Sequence, residues 1–315
     1  MATKTKSWEF SGWQNNAGVA LIALLRRRAF WAVTLALALF FGGRAAWRNY
    51  SPELLAHRRM TLGRENLFVS VQPNWIKSNV VDSSMRIGDL NGKSLLDPSL
   101  VSHVHDAFAV QAWVEQVVEV RKTPTGVYVS LSYRRPVAMV EIDYEGESRF
   151  QPVDAHGVLL PGNEFSKVET WNYVKLSVLE PVMQGLIEGR EWPDNRIRQA
   201  AEIAAGLAPH WEEIGVYRIQ LVPPSADIGG ANDWPAFELH LINGDRTICR
   251  RVLWGHAPGH EAVGEANAQV KLQALLDAAR QRADWVPAGS DFALQDFDFD
   301  VRGGEVVARF PRPGS

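Results

Sequence analysis

Cysteine is almost absent: Cys249 is the single one in 315 residues, so no intrachain disulfide forms and a disulfide-stapled fold is excluded. Its place in an alternating run suits a buried strand. Also missing are a G-x-S-x-G elbow, a phosphate-cradling glycine loop and a His-Glu-x-x-His zinc signature. Neither nucleophilic nor nucleotide chemistry has a foothold in the sequence, which argues against an enzyme and calls for no cofactor and no metal. Basic charge is scarce where it would matter for nucleic acid. Residues 1–59 hold nine Lys and Arg against Glu9 and Glu53, or +7, leaving 24 basic and 34 acidic residues, or −10, to the rest. An acidic body speaks against nucleic acid, while a basic tail beside an apolar run suits an anionic membrane face.

Clusters that invite chemistry are discounted by their spacing. His103 and His105 sit two apart on a predicted helix, so their side chains diverge and cannot chelate one metal. His256, His260 and Glu261 fall in a Gly- and Pro-containing loop without helical spacing. Asp296, Asp298 and Asp300 alternate with Phe297 and Phe299, the pattern of a half-solvated strand, with no glycine or terminal glutamate to complete a calcium loop. The twelve tryptophans are scattered, and Trp254 and Trp285 stand out as anchors.

What is present is a dense run of strand and turn signals from Ala112 to Pro161. Val118 and Val120 alternate with Glu119 and Arg121. After the breaker Thr123-Pro124-Thr125-Gly126, the residues Val127, Val129, Leu131 and Tyr133 alternate with Tyr128, Ser130 and Ser132, giving a hairpin with one buried face. Pro136 donates no ladder hydrogen bond, so the chain bends there before the apolar run Val137–Ile142. Asp154-Ala155-His156-Gly157 then marks a second hairpin. Upstream, Asp97-Pro98 caps a helix carrying Leu100, Val101, Val104 and Phe108 on one face. Residues 80–87 suit a short helix and 67–76 a strand. The order is strand, helix, helix, strand, strand.

That order, ending in WVEQVVEVRKTPTGVYVSLSYRRPVA and followed by VDAHGVLLP, resembles the POTRA domain and following β domain of the bacterial cell-division family FtsQ (DivIB). Tyr133-Arg134 stands where the family usually has Glu-Arg, and the Arg135-Pro136-Val137-Ala138 core is intact. The second half is similar too, with Trp254-Gly255, Lys271-Leu272 and Asp300-Val301-Arg302 at matching positions. The fold class expected is α+β: a cytoplasmic basic tail (1–28), a single N-terminal transmembrane helix (29–47), a POTRA-like β-α-α-β-β domain (61–142) and a mixed β domain with flanking helices (143–310), the domain joint at Arg135, Pro136, Val137 and Ala138.

The apolar run Ala29–Gly43 is fifteen residues without a charge, or about 22 Å of helix, and reaches about 28 Å if Trp47 is included and Arg44 snorkels. Arg26–Arg28 favour an N-terminus inside. Arg27-Arg28-Ala29-Phe30 also loosely matches a twin-arginine export signal, and Gly43-Arg44-Ala45-Ala46 a cleavage site; the resemblance implies an uncleaved anchor in the inner membrane with a periplasmic body at the division septum.

Beyond the joint, strands are expected at 174–179, 216–222 and 237–242, with an Asn243-Gly244 turn leading to 247–253. Helices are expected at 196–207 and 262–283, and closing strands at 292–301 and 306–310. The last strand, near the chain's end, suits a sheet edge open to an added strand. By resemblance this strand receives membrane-anchored coiled-coil division proteins (FtsB- and FtsL-like) and other divisome proteins, through Gly304, Val306, Val307, Ala308 and Phe310. The function implied is a non-enzymatic divisome scaffold controlling septal wall synthesis. A POTRA-bearing export or outer-membrane assembly component would carry repeated POTRA units or a C-terminal barrel, and an exported hydrolase would need a catalytic group; the sequence offers neither.

Overall fold

The computed structural model describes residues 31–48, 60–144, 146–223, 235–242, 248–281 and 298–309. The chain divides into two units, residues 1–62 with 92–97, and residues 63–91 with 98–315. In the first unit residues 31–48 form helix α1, exposed along its length. Short backbone ties join Leu62 N to Lys93 O at 2.7 Å and Leu95 N to Met60 O at 2.8 Å.

The transmembrane helix expected over residues 29–47 is corrected here: no helix among the described residues is long and apolar enough to cross a membrane. Helix α1 spans about 27 Å at 1.5 Å per residue, short of a hydrocarbon core of about 30 Å. Its last turns carry Gly42, Gly43, Arg44 and Arg48, which interrupt the apolar character after Phe41.

The second unit holds two sheets. The first comprises β1 (Leu67–Val69), β2 (Val114–Thr123) and β3 (Gly126–Tyr133) in the order β1-β3-β2, with α2 (Val80–Ile87) and α3 (Leu100–Ala109) between β1 and β2. Strand β1 runs parallel to β3, and β2 antiparallel. Asn79 caps α2 by accepting from Asp82 N at 3.1 Å. Ser99, not Asp97, precedes the first turn of α3. Val127, Val129 and Leu131 of β3 are buried, as are Val80 of α2 and Leu100, Val104 and Phe108 of α3. Strand β2 departs from strict alternation. Its register shifts after Val114 and again after Val117, and these bulges turn Val118 out to 60 % exposure.

The second sheet has eight strands in the order β11-β10-β9-β8-β7-β6-β4-β5: β4 (Ala138–Tyr144), β5 (Glu147–Val153), β6 (Val174–Ser177), β7 (Val216–Leu221), β8 (Phe237–Ile242), β9 (Ile248–Gly255), β10 (Asp298–Asp300) and β11 (Val307–Arg309). The β4–β6, β6–β7 and β9–β10 pairs are parallel, the others antiparallel. Helices α4 (Asn195–Leu207), α5 (Trp211–Ile214) and α6 (Ala268–Gln281) complete the module. Ile197, Ala200, Ala201 and Ala204 of α4 and Leu275 and Leu276 of α6 pack into one core with Val140, Leu176, Ile219, Leu239 and Val252 of the sheet.

The change of sheet falls between Tyr133 and Ala138, so residues 138–142 pair in the larger sheet. Pro136 lies outside both ladders and is buried. Helix α6 begins six residues later than residue 262, because the stretch before it is a turn organised around Glu265. The Asn243-Gly244 turn, Trp285, Asp296 and the side chains of Cys249 and Asp298 lie outside the described residues.

Candidate functional site

The C-terminal edge of the larger sheet rests on a buried charge network. Where β9 ends, Gly255 takes φ +90°, a left-handed conformation natural to glycine, and the chain turns so that His256 faces back toward α6. Glu265 accepts four hydrogen bonds: from His256 N (2.8 Å) and Lys271 Nζ (2.8 Å) on Oε1, and from His256 Nδ1 (2.6 Å) and Ala262 N (3.0 Å) on Oε2. Facing a carboxylate, Nδ1 carries the ring hydrogen. Lys271, fully buried, also donates to the carbonyls of Trp254 (3.1 Å) and His256 (3.3 Å). Its ammonium sits 4.5 Å from the Trp254 ring.

Burial alone would raise the Glu265 carboxyl, but hydrogen bonds from Lys271 and His256 hold it below the usual carboxylate range. Burial lowers Lys271 against the pull of Glu265. Such a network is stable because every charge is paired and its hydrogen-bonding groups are met. It fixes the loop between β9 and α6, and Ala266 N extends it to Arg302 O at 2.7 Å.

On this mount sit β10 and β11. Arg302 grips Asp300 through Nη2 (2.8 Å) and its own backbone N (2.9 Å), with Arg309 Nε at 3.8 Å. Burial would raise the Asp300 carboxyl, and these Arg302 bonds hold it low. Gly304 turns the chain at φ +86° with its N–H on Val301 O at 2.9 Å, and a Cβ there would stand 2.9 Å from Val270 Cγ1. Strand β11 pairs with β10 alone, Phe299 opposite Ala308, and among the described residues no strand covers its other side. A groove of about 500 Å³ runs beside it, lined by Val263, Glu265, Asp300, Arg302, Val307 and Arg309 among others.

Of the residues expected to bind partners, Val307 and Ala308 lie on this edge and are exposed, whereas Val306 is half-buried and packs against the core. Gly304 shapes the turn. Phe310 lies outside the described residues. His103 and His105 are exposed on α3. His256 meets Glu265, not His260 or Glu261, and among the described residues no group of three or more His, Cys, Asp or Glu is placed to hold a metal.

The joint holds what sequence reading missed. Arg134 Nη1 donates to Asp154 Oδ2 at 2.6 Å, and Asp154 also accepts from His156 N and Val158 N, both at 2.9 Å. Glu164, from the loop after β5, reaches across to the three-stranded module. It accepts from Lys77 N (2.6 Å), Ser78 N (3.1 Å), Ser78 Oγ (2.6 Å) and Trp113 Nε1 (2.7 Å). Burial opposes its charge, and these bonds still hold its carboxyl low. The hydrogen bond from Lys77 Nζ, with those from Ser166, lowers Glu169 to about 2. Nothing local in the sequence marks Glu164, because its partners lie 51 to 87 positions away.

No protein-family model matches the chain, and no curated protein matches it. The likeness to FtsQ (DivIB) therefore rests on the motifs quoted above.

Proposed function

We propose that this chain is a non-catalytic docking protein of the bacterial division machinery, in which β11 receives an added strand from a coiled-coil division protein of the FtsB or FtsL kind. The assembled complex then acts at the septum on wall synthesis. The observation that carries this reading is the outer side of β11, which no strand covers among the described residues, mounted on a buried charge network and flanked by a groove that can take side chains of an incoming strand. Backbone hydrogen bonds along such an edge supply affinity, and alternate side chains in the groove supply specificity. Glu305 and Arg309, both lining the groove, offer register-setting charges.

The test is co-purification of the full chain with the FtsB- and FtsL-like proteins of its own organism. Val307→Asp alters an exposed side chain and is expected to abolish capture while circular dichroism stays unchanged; a chain ending at Arg302 should behave alike. Capture undiminished in both variants would remove β11 as the docking edge.

A further inference from the structure

We propose, resting on the reading of β11 as the docking edge, that the turn before α6 forms a second wall of that site and that the incoming strand carries an acidic, an apolar and a basic side chain at alternate positions, in that order along its chain. Residues 262–265 make a tight turn, in which Glu265 N donates to Ala262 O at 2.9 Å and Ala262 N to Glu265 Oε2 at 3.0 Å. Gly264 supplies φ +86° at the third position, as a type II turn requires. Because the Glu265 carboxylate is buried and paired with Lys271 and His256, the turn is fixed to the network beneath it. Val263, at its tip, is fully exposed (104 %). It lines the same groove as Val307, which is 57 % exposed. A lone exposed valine needs no explanation. Two on one groove of about 500 Å³, beside an edge that no strand covers among the described residues, give an apolar side chain of an added strand its seat.

The groove's charges are balanced and lie at its two ends. Arg302 holds Asp300 at 2.8 Å and Arg309 reaches the same carboxylate at 3.8 Å, so two guanidiniums share one carboxylate and a positive charge remains at the Arg309 end. Glu265 is already paired within the network. Glu305 is exposed and has no ion-pair partner among the described residues, which leaves a negative charge at the other end. Glu305, Val307 and Arg309 are alternate residues that all line the groove, whereas Val306 packs against the core. Side chains directly opposite one another on neighbouring strands share a face. An added strand therefore meets Glu305, Val307 and Arg309 with its own alternate side chains, and the complementary set is a base, an apolar residue and an acid. Antiparallel pairing is the more stable per residue and is how β11 already pairs with β10. It places the acid, opposite Arg309, first along the incoming strand.

The experiment is fluorescence anisotropy with the full chain and end-blocked, fluorescein-labelled threonine-rich peptides carrying glutamate, leucine and lysine at alternate positions, against versions with the two charges exchanged or with serine in place of leucine. The first peptide should bind about tenfold tighter than either counterpart, and high salt should erase the difference between the two charge orders. Val263→Ser alters a fully exposed side chain, so thermal unfolding should stay unchanged while affinity falls about tenfold. Glu305→Lys combined with Arg309→Glu should reverse the preference between the charge orders. If Arg309→Glu shifts the melting temperature, Glu305→Lys alone should still abolish that preference. Equal binding of the two charge orders, preference for the exchanged order, affinity insensitive to Val263, or no binding up to about 1 mM would each overturn the proposal. In co-purification, capture of the FtsB- and FtsL-like proteins that is lost in Val307→Asp but kept in Val263→Ser removes the second wall and leaves the docking edge standing. Peptides that obey the pattern, beside a chain that captures neither protein, instead remove the division-protein reading and leave the groove's specificity standing.

Discussion

Removing the Glu164 carboxylate should loosen the joint. In Glu164→Ala three donors at Lys77 and Ser78 lose their acceptor, but those bonds are exposed and water replaces it, at about 0.5 kcal/mol each. Trp113 is 3 % exposed, so its indole N–H loses its acceptor with little access to water and costs about 1.5 kcal/mol more. The sum is about 3 kcal/mol, which for a folded body of this size lowers Tm by about 6–12 °C. Thermal unfolding followed by tryptophan fluorescence reads the change directly, and Glu164→Gln, which keeps one acceptor oxygen, should lose about half as much. A double-mutant cycle with Trp113→Phe should return a coupling of about 1 kcal/mol. A Tm for Glu164→Ala unchanged from that of the parent, or zero coupling to Trp113, would show that the staple does not hold the modules together.

Other perturbations probe the sheet and its edge. Lys271→Met strands the buried Glu265 carboxylate and should destabilise by about 3–5 kcal/mol, and adding Glu265→Gln should recover part of that loss in chemical denaturation; a harmless Lys271→Met would contradict the network. Gly304→Ala forces a Cβ into the left-handed region and against Val270, and should cost about 1–3 kcal/mol; an unchanged denaturation midpoint would contradict the turn. Lys175, buried in β6 with its ammonium on the carbonyls of Thr170 and Tyr173, is pushed down to about 8 by burial. Between that value and the ordinary 10.5 the unfolded chain binds more protons than the folded one, so this group's contribution makes stability rise with pH across that window. Comparing denaturation midpoints of the parent and Lys175→Met from pH 8 to 10.5 should show the rise flattened in the variant, and parallel curves would refute it.

Alternation and chain breakers fixed much of this protein locally. Val127, Val129 and Leu131 point inward because strand side chains alternate, α2 starts where Asn79 can cap it, and Pro136 ends one ladder before the next begins because it has no N–H to give. The same reasoning failed at Val118, since a bulge is a two-strand event that one strand's pattern does not record. It overextended β1, which has three paired residues, and it gave residues 29–47 more apolar length than the helix there provides. Tertiary structure alone decided which charges are buried. Lys175 and Lys271 carry charges yet are fully buried, because carbonyls, aromatic rings and, for Lys271, the Glu265 carboxylate converge on their ammonium groups. Glu164 gains its role through donors that the fold brings to it from the other module. Local sequence sets torsions and faces; only packing, by removing water from a chosen few polar groups, settles which must find a partner.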